Sequence, residues 1–394
     1  MKKNKIILLL DNFSRRGSTK QAYLLARELR DARRLNAEVW ALSPGECEAD
    51  FARAGIPTRI LNFRNPRCPA RFVRSFFWVK RLTRLALQLS GRGICVLLAF
   101  DSRPNVVAGM THRFARIPLC IWTERSVYRV SGIRRAVTKY SRFAANSTEG
   151  IDFLEREMGV PRGRIRFIPN AVERPEERRF ADWRAGLGIR PDQLLAAQIG
   201  DIYNPRDPVT LLRAWNSIQQ SWDGPNKPVL VLAGAFGEPY SECLRMVRQM
   251  QLETTVRFVG RIHNVAALIK ACDFAVHSSR AEAMPNGILE CMASGKAIVA
   301  TDLPGIRDAL GEPSAGVLAR PGDAEDLARV LLGVLRDKSM RTALGEANRL
   351  RAAQEFSIQR VTDAYLDLIG DSLPNSTPVG AASANLIRTQ TAGS

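Results

Sequence analysis

Twice along this chain, short apolar runs alternate with segments of helical periodicity, and no other feature constrains the fold as tightly. The first set is KIILLLD (5–11), AEVWALS (37–43), ICVLLAF (94–100), PLCIWT (118–123), RFAANS (142–147) and IRFIPN (165–170). Runs this short and this continuously apolar suit strands buried on both faces, hence a parallel sheet covered by helices on either side. After the first run, Ala22, Leu25, Ala26 and Leu29 recur at helical spacing within residues 18–33. Ser18, with Gln21 three residues on, reads as a capping box that starts this helix.

Near residue 172 the texture changes. AVERPEERRFADWRAGLGIRPDQ (171–193) is rich in Pro, Arg and Glu and reads as a linker with a short helix. The rhythm then restarts with LLAAQIG, PVLVLAG, TVRFVG, DFAVHSS, KAIVATD and AGVLA. A chain of 394 residues is too long for one ordinary core and suits two. We therefore expect one doubly wound α/β domain over 1–172 and a second over 173–355. A helix over 356–371 crosses back to the first domain, and a disordered Ser/Ala/Thr/Gly-rich tail occupies 372–394. Ligands of such sheets bind at the carboxyl ends of the strands, so two in tandem predict a site in the cleft between them.

The net charge of +19 draws nucleic acid, anionic membranes or phosphorylated ligands without choosing among them. No nucleic-acid-binding signature is present and the aromatics are not grouped as stacking platforms, which argues against nucleic acid. The seven cysteines include no CxxC pair, which argues against a zinc ribbon or a disulfide framework and fits a reducing cytoplasm. MKKNKIILLLDN has an apolar run of only five residues and reads as a first strand rather than a signal peptide. No stretch reaches the roughly 18 apolar residues of a membrane span.

The stretch SSRAEAMPNGILECMASG (278–295) carries the most chemistry. Glu282 falls in the loop after a strand, at the carboxyl edge of the second sheet. Pro285, Asn286 and Gly287 introduce a helix that holds Glu290 about one turn in and ends at Gly295. A helix start holds phosphate, and carboxylates accept hydrogen bonds from sugar hydroxyls. Taken alone, Glu282 reads more readily as a solvated loop charge, and Glu290 as an acid favoured by the helix dipole, since two acids at this spacing are common.

With its flanks, the segment AGAFGE … VRFVGRIHNVAALIKACDFAVHSSRAEAMPNGILECMASGKAIVATDLPGIRDAL closely resembles the nucleotide-sugar-binding domain of family 4 glycosyltransferases. These are retaining enzymes of the GT-B architecture, two Rossmann-like doubly wound parallel-sheet domains facing across a cleft. GSTKQAYLLARELR, NSTEGIDFLEREMGVPRGRIRFIPNAVE and FSIQRVTDAYLDLI extend the likeness over most of the chain. The resemblance implies that Glu282 lies beside the donor sugar and that Glu290 binds the nucleotide ribose. It also implies that the backbone from Pro285 through Asn286 and Gly287 to Ile288 meets the phosphates, with no divalent metal and no cofactor. QIGDIYNPRDPVTLLRAW is similar to the family pattern h-G-R-h-x-x-x-K-D, in which a basic pair holds the diphosphate. Here Gly200 is kept and Arg206 takes the lysine position, where an arginine fork can serve. Asp201 stands at the arginine position, a reversal of charge where a leaving diphosphate needs stabilisation, so either another basic residue compensates or the enzyme is divergent or weakened. Ala283 and Ala171 replace common glycines. On the acceptor side, PLCIWTERSVYR resembles a subgroup motif and nominates Glu124 and Arg125, and the glycine loop SRRGS nominates Gly17. His112 reads as a surface or packing histidine rather than a base.

Within 64–92, Phe72, Phe76, Val79, Leu82, Leu85, Ala86 and Leu89 form a helical apolar stripe. Phe77 and Trp78 add aromatic bulk, and Arg71, Arg74, Lys80, Arg81 and Arg84 lie on other faces. This pattern suits an anionic membrane surface, or a domain helix with its stripe in the core. The expectation is a retaining glycosyltransferase, cytoplasmic or peripheral on the inner face of the plasma membrane. It would move a sugar from a nucleoside diphosphate sugar, UDP in preference to GDP, to a glycan or lipid-linked acceptor in bacterial surface polysaccharide synthesis. The alternative is a non-catalytic sugar-nucleotide-binding or scaffolding subunit on the same fold, which Asp201 keeps open.

Overall fold

The computed structural model describes residues 5–63, 71–125, 133–175, 182–203, 205–311 and 317–371, without the side chains of 71–76. The chain divides into two compact units. One comprises 1–169 together with 358–394, and the other comprises 170–357.

The strands of the first unit are β1 (Lys5–Asn12), β2 (Asn36–Ser43), β3 (Thr58–Ile60), β4 (Ile94–Phe100), β5 (Leu119–Glu124), β6 (Arg142–Ala145) and β7 (Ile165–Phe167). They form one parallel sheet in the order β3-β2-β1-β4-β5-β6-β7. Leu8 pairs with Val39 on one side and Leu98 on the other, and all three are fully buried. This is why β1 is apolar at consecutive rather than alternate positions. Each such buried Leu or Val stabilises by about 1.5–3 kcal/mol. Trp40, Trp122 and Phe143 fill the core on one face.

The strands of the second unit are β8 (Leu195–Ile199), β9 (Val229–Ala233), β10 (Val256–Gly260), β11 (Phe274–His277), β12 (Ala297–Thr301) and β13 (Val317–Ala319). Their order is β10-β9-β8-β11-β12-β13, again all parallel. Both sheets reverse their winding once, between β1 and β4 and between β8 and β11. Those switch points are where this architecture leaves a crevice.

The helix Ile358–Gly370 belongs to the first unit and packs on the helix Gly17–Asp31. Tyr365 is buried there, Asp363 pairs with Arg33, and Asp371 pairs with Arg166 at 3.0 Å.

Three expectations are corrected. β3 was not foreseen, because its three residues are half-buried and form no apolar run. The capping box at Ser18 does not exist. The helix starts at Gly17 behind an Arg16 cap with no side-chain bond, which puts Ser18 inside the first turn. In the helix Arg71–Leu89, Val79 is exposed, and Trp78 packs on the core beside Leu82, Leu85, Ala86 and Leu89. The inward stripe is therefore offset by one residue at that turn. The Phe72 and Phe76 side chains and the segment 372–394 lie outside the described residues. Among the described residues, no helix is long and apolar enough to cross a membrane.

Candidate active site

The loops leaving β8 and β11 flank the switch point of the second sheet, and they are fastened to each other. The Asp207 amide donates to Ser278 O (3.1 Å) and the Ser278 hydroxyl donates back to Asp207 O (2.9 Å). The Ser278 amide donates to Gln198 Oε1 at 3.2 Å, and the Ser279 amide to Thr301 Oγ1 at 3.1 Å. Asp207 also caps the helix Pro208–Ser221 through Thr210 N (3.1 Å) and pairs with Arg280 at 2.9 Å. A residue that serves as cap, anchor and ion partner leaves the preceding Arg206 little freedom.

Arg206 is not a surface residue. Its side chain is 13% exposed and forms an ion pair with Glu282, itself 14% exposed. His277, the last residue of β11, completes the group. Arg206 donates to the imidazole Nε2, which also lies 3.3 Å from Glu282 Oε1. Burial, then the adjacent Arg206 charge, hold the His277 pKa below its ordinary value, so the ring is neutral near pH 7. One proton on a neutral ring decides whether Nε2 accepts from Arg206 or donates to Glu282. Burial pushes the Glu282 carboxyl up, but Arg206, His277 and Ser279 together outweigh it and hold the pKa below the usual carboxylate value. The group is thus an arginine–carboxylate pair bridged by a neutral imidazole.

Two glycines set the floor. A Cβ on Gly200 (φ +146°) would lie 3.3 Å from the Arg206 guanidinium. A Cβ on Gly287 would stand 2.6 Å from Ile199 O, so only glycine lets the helix Asn286–Ala293 begin against the end of β8. At Gly305 a Cβ would fall 1.3 Å from Ala283 O, so the next helix, Pro304–Leu310, seats directly on the Glu282 loop.

The sequence-nominated residues are distributed as follows. Glu282, Arg206 and Gly200 come together. Pro285 caps the helix Asn286–Ala293 and is buried, while Asn286 and Gly287 open its first turn. Ile288 turns its side chain into the core, and its amide donates to Pro285 O at 3.2 Å. Glu290 lies one turn further on, partly exposed. In the first unit, Gly17 opens its helix, Glu124 is buried with an oxygen accepting from Trp122 Nε1 (3.0 Å), and Arg125 stacks 4.9 Å over Phe100 and donates to Tyr365 OH.

Sequence reasoning missed three positions. His277 carried a signal, being a lone polar residue at a strand's carboxyl end. Asn170 braces the helix start from behind, donating to Met284 O (2.9 Å) and Asn286 Oδ1 (2.8 Å). Asp101 follows β4 with φ +76° and ψ 162°, a region used almost only by glycine, yet its side chain caps nothing. Burial raises its pKa, and the Ser18 hydroxyl bonded to it and the Arg125 charge pull the other way.

Asp201 is also accounted for. Its Oδ1 accepts the Ala235 amide at 2.7 Å, and its Oδ2 lies 3.5 Å from Arg261 Nη2. Among the described residues, no group of three or more His, Cys, Asp or Glu is placed to hold a metal.

Comparison with known proteins matches residues 179–351 to the family "Glycosyl transferases group 1" and residues 15–174 to "Glycosyltransferase Family 4". The lipopolysaccharide core biosynthesis glycosyltransferase LpsE of Rhizobium meliloti (strain 1021) is 32% identical over 34% of this chain and 39% of its own length. The D-inositol 3-phosphate glycosyltransferase of Saccharomonospora viridis is 28% identical over 62% of this chain and 59% of its own. These matches span less than two thirds of either relative. Among solved structures, Anabaena Alr3699/HepE in complex with UDP superposes with a TM-score of 0.79 at 19% identity, covering 93% of this chain and all of that one. The same Anabaena protein has been solved with UDP-glucose.

Proposed function

Because the chain belongs to the glycosyl transferases group 1, with the GT-B fold, we propose that it transfers a sugar from a nucleoside diphosphate sugar, UDP in preference to GDP. The observation that carries this reading is the buried Arg206–His277–Glu282 group at the switch point of the second sheet. Arg206 meets the diphosphate and stabilises the charge that develops as it leaves. Glu282 holds the guanidinium in place and lies beside the donor sugar. Neutral His277 keeps the pair aligned without adding charge. The helix start at Asn286 and Gly287 steadies the phosphates, and Glu290 takes the ribose hydroxyls.

The reaction retains the anomeric configuration and uses no divalent metal. The departing diphosphate guides the acceptor in on the same face, so no protein nucleophile is named. Glu124, Arg125 and Gly17 mark the acceptor side. The acceptor is a glycan or lipid-linked saccharide of bacterial surface polysaccharide synthesis. The likeness to a lipopolysaccharide core enzyme supports this, as does an exposed face of the helix Arg71–Leu89. There Val79 and Leu87 are 63% and 71% exposed near Lys80 and Arg84, a mixture that suits an anionic membrane surface.

The test is a panel of UDP- and GDP-sugars screened by thermal shift, since a ligand that binds only the folded state raises its apparent stability. Product anomers are then read by NMR, with and without chelator. No shift with any sugar nucleotide would sink the reading. Binding without turnover on every acceptor would favour the non-catalytic alternative, to which Asp201 points.

A further inference from the structure

We infer that Arg261 supplies the second cation for the donor's diphosphate and that Asp201 is its tether rather than a repelling charge. This rests on the donor reading above. The Arg206 charge is already balanced by Glu282, and His277 beside them is neutral. A diphosphate brings more than one negative charge, so that group alone leaves it undercompensated. A second guanidinium at the same sheet edge would add N–H donors to those of Arg206 and the helix start, its own charge being paired with Asp201 just as Arg206 is with Glu282.

Arg261 is placed there. It follows Gly260 at the end of β10, and its guanidinium reaches past the exit of β9 to Asp201 at the exit of β8. Its base is rigid. Gly260 takes φ +68° and is covered by the Phe236 ring, which stacks on Tyr240 with centroids 3.8 Å apart and planes 8° from parallel. Asp201 is fixed as well, because its other oxygen accepts the Ala235 amide. The Arg261 to Asp201 contact of 3.5 Å is long for an N–H···O bond, and the Arg261 side chain is 45% exposed. A guanidinium carries five N–H donors in a planar fork, so one edge can stay near Asp201 while another meets phosphate. The neighbouring Arg280 is engaged instead by the helix-capping Asp207. The arginine missing at position 201 is thus replaced from an adjacent strand.

The experiment is calorimetric titration of UDP and UMP into the full chain and three variants, with thermal unfolding as the folding control. Arg261→Ala should weaken UDP binding about tenfold, and weaken UMP less. Arg261→Lys, keeping charge without the fork, should fall between. Asp201→Arg combined with Arg261→Ala should recover UDP affinity to within about threefold of the parent. Arg261→Ala binding UDP as the parent does would overturn the assignment, as would a weakened variant that the double change fails to rescue. A parent chain that binds neither UDP nor any UDP-sugar would defeat the donor reading itself. That outcome is distinct from tight parental binding indifferent to position 261.

Discussion

The two sheets finish their carboxyl edges in different ways. After β8 and β11 the loops are locked by side chains: Arg206 on Glu282, Ser278 on Asp207, Asp201 on the Ala235 amide. After β4 side-chain bonds also act, Arg103 on Asp11 at 2.7 Å and Thr123 Oγ1 on Ala99 O at 2.6 Å, but the chain turns there through one residue, Asp101, at a φ that side chains disfavour. At the first edge each charged residue is also a partner, so the donor binding proposed for it would be coupled to stability. The second adds backbone strain at Asp101 to its side-chain bonds. Substitutions that attack one edge or the other test this contrast.

The largest effect is expected at Glu282. Glu282→Gln keeps shape but releases Arg206, and transfer should fall about 10³-fold with the far-UV spectrum unchanged. A variant with parental rates would remove Glu282 from the chemistry. Arg206→Ala should lower stability by about 3 kcal/mol, because it leaves a carboxylate buried without its partner. It should also weaken UDP binding, and unchanged affinity in calorimetry would break the coupling claimed for this edge. Gly305→Ala should cost about 2 kcal/mol, since the helix Pro304–Leu310 must lift off Ala283 O. Thermal melts with and without UDP would show both losses together.

The pH dependence is smaller. His277 is held below its ordinary pKa of about 6.5, so under acid conditions the unfolded chain takes up a proton that the folded site refuses. Stability should therefore fall as pH drops below about 6.5. Glu282, also held low, adds a further loss within the carboxylate range. His277→Gln should flatten the upper limb of melting temperature against pH. A residual slope should remain from His112, whose pKa burial likewise lowers in the first unit. The smallest change should have the opposite sign. Asp101→Gly relieves the backbone and should raise stability by about 1 kcal/mol, or about 2 °C. A drop in melting temperature would mean that the strain lies elsewhere.

Much of this was legible in residue order, for physical reasons. The central strands, such as β1, β4, β8 and β9, are buried and apolar nearly throughout and announced themselves, and the edge strands β7, β10 and β13 showed through short apolar runs although they are partly exposed, whereas half-buried β3 has no such run. Glu282 and Arg206 were found through local motifs. Their union with His277 was not visible, because it joins residues 71 positions apart that meet only when β8 and β11 pair. His112 read as a surface or packing histidine, and its burial decides for packing. The acid at 201 left open which basic residue faces it, because Arg261 sits 60 residues on in another loop. A backbone angle such as that of Asp101 leaves no trace in composition.

The second unit is one uninterrupted stretch, and the chain enters and leaves it side by side, with the Val172 amide donating to Phe356 O at 2.8 Å. The first unit lacks a closing helix until residues 358–370 are made. During synthesis the later unit has its whole sequence in hand while the earlier one still waits for Tyr365 to fill its core. The unit translated first is therefore the last to be completed on the ribosome, and truncation before residue 358 would strand it while sparing its neighbour.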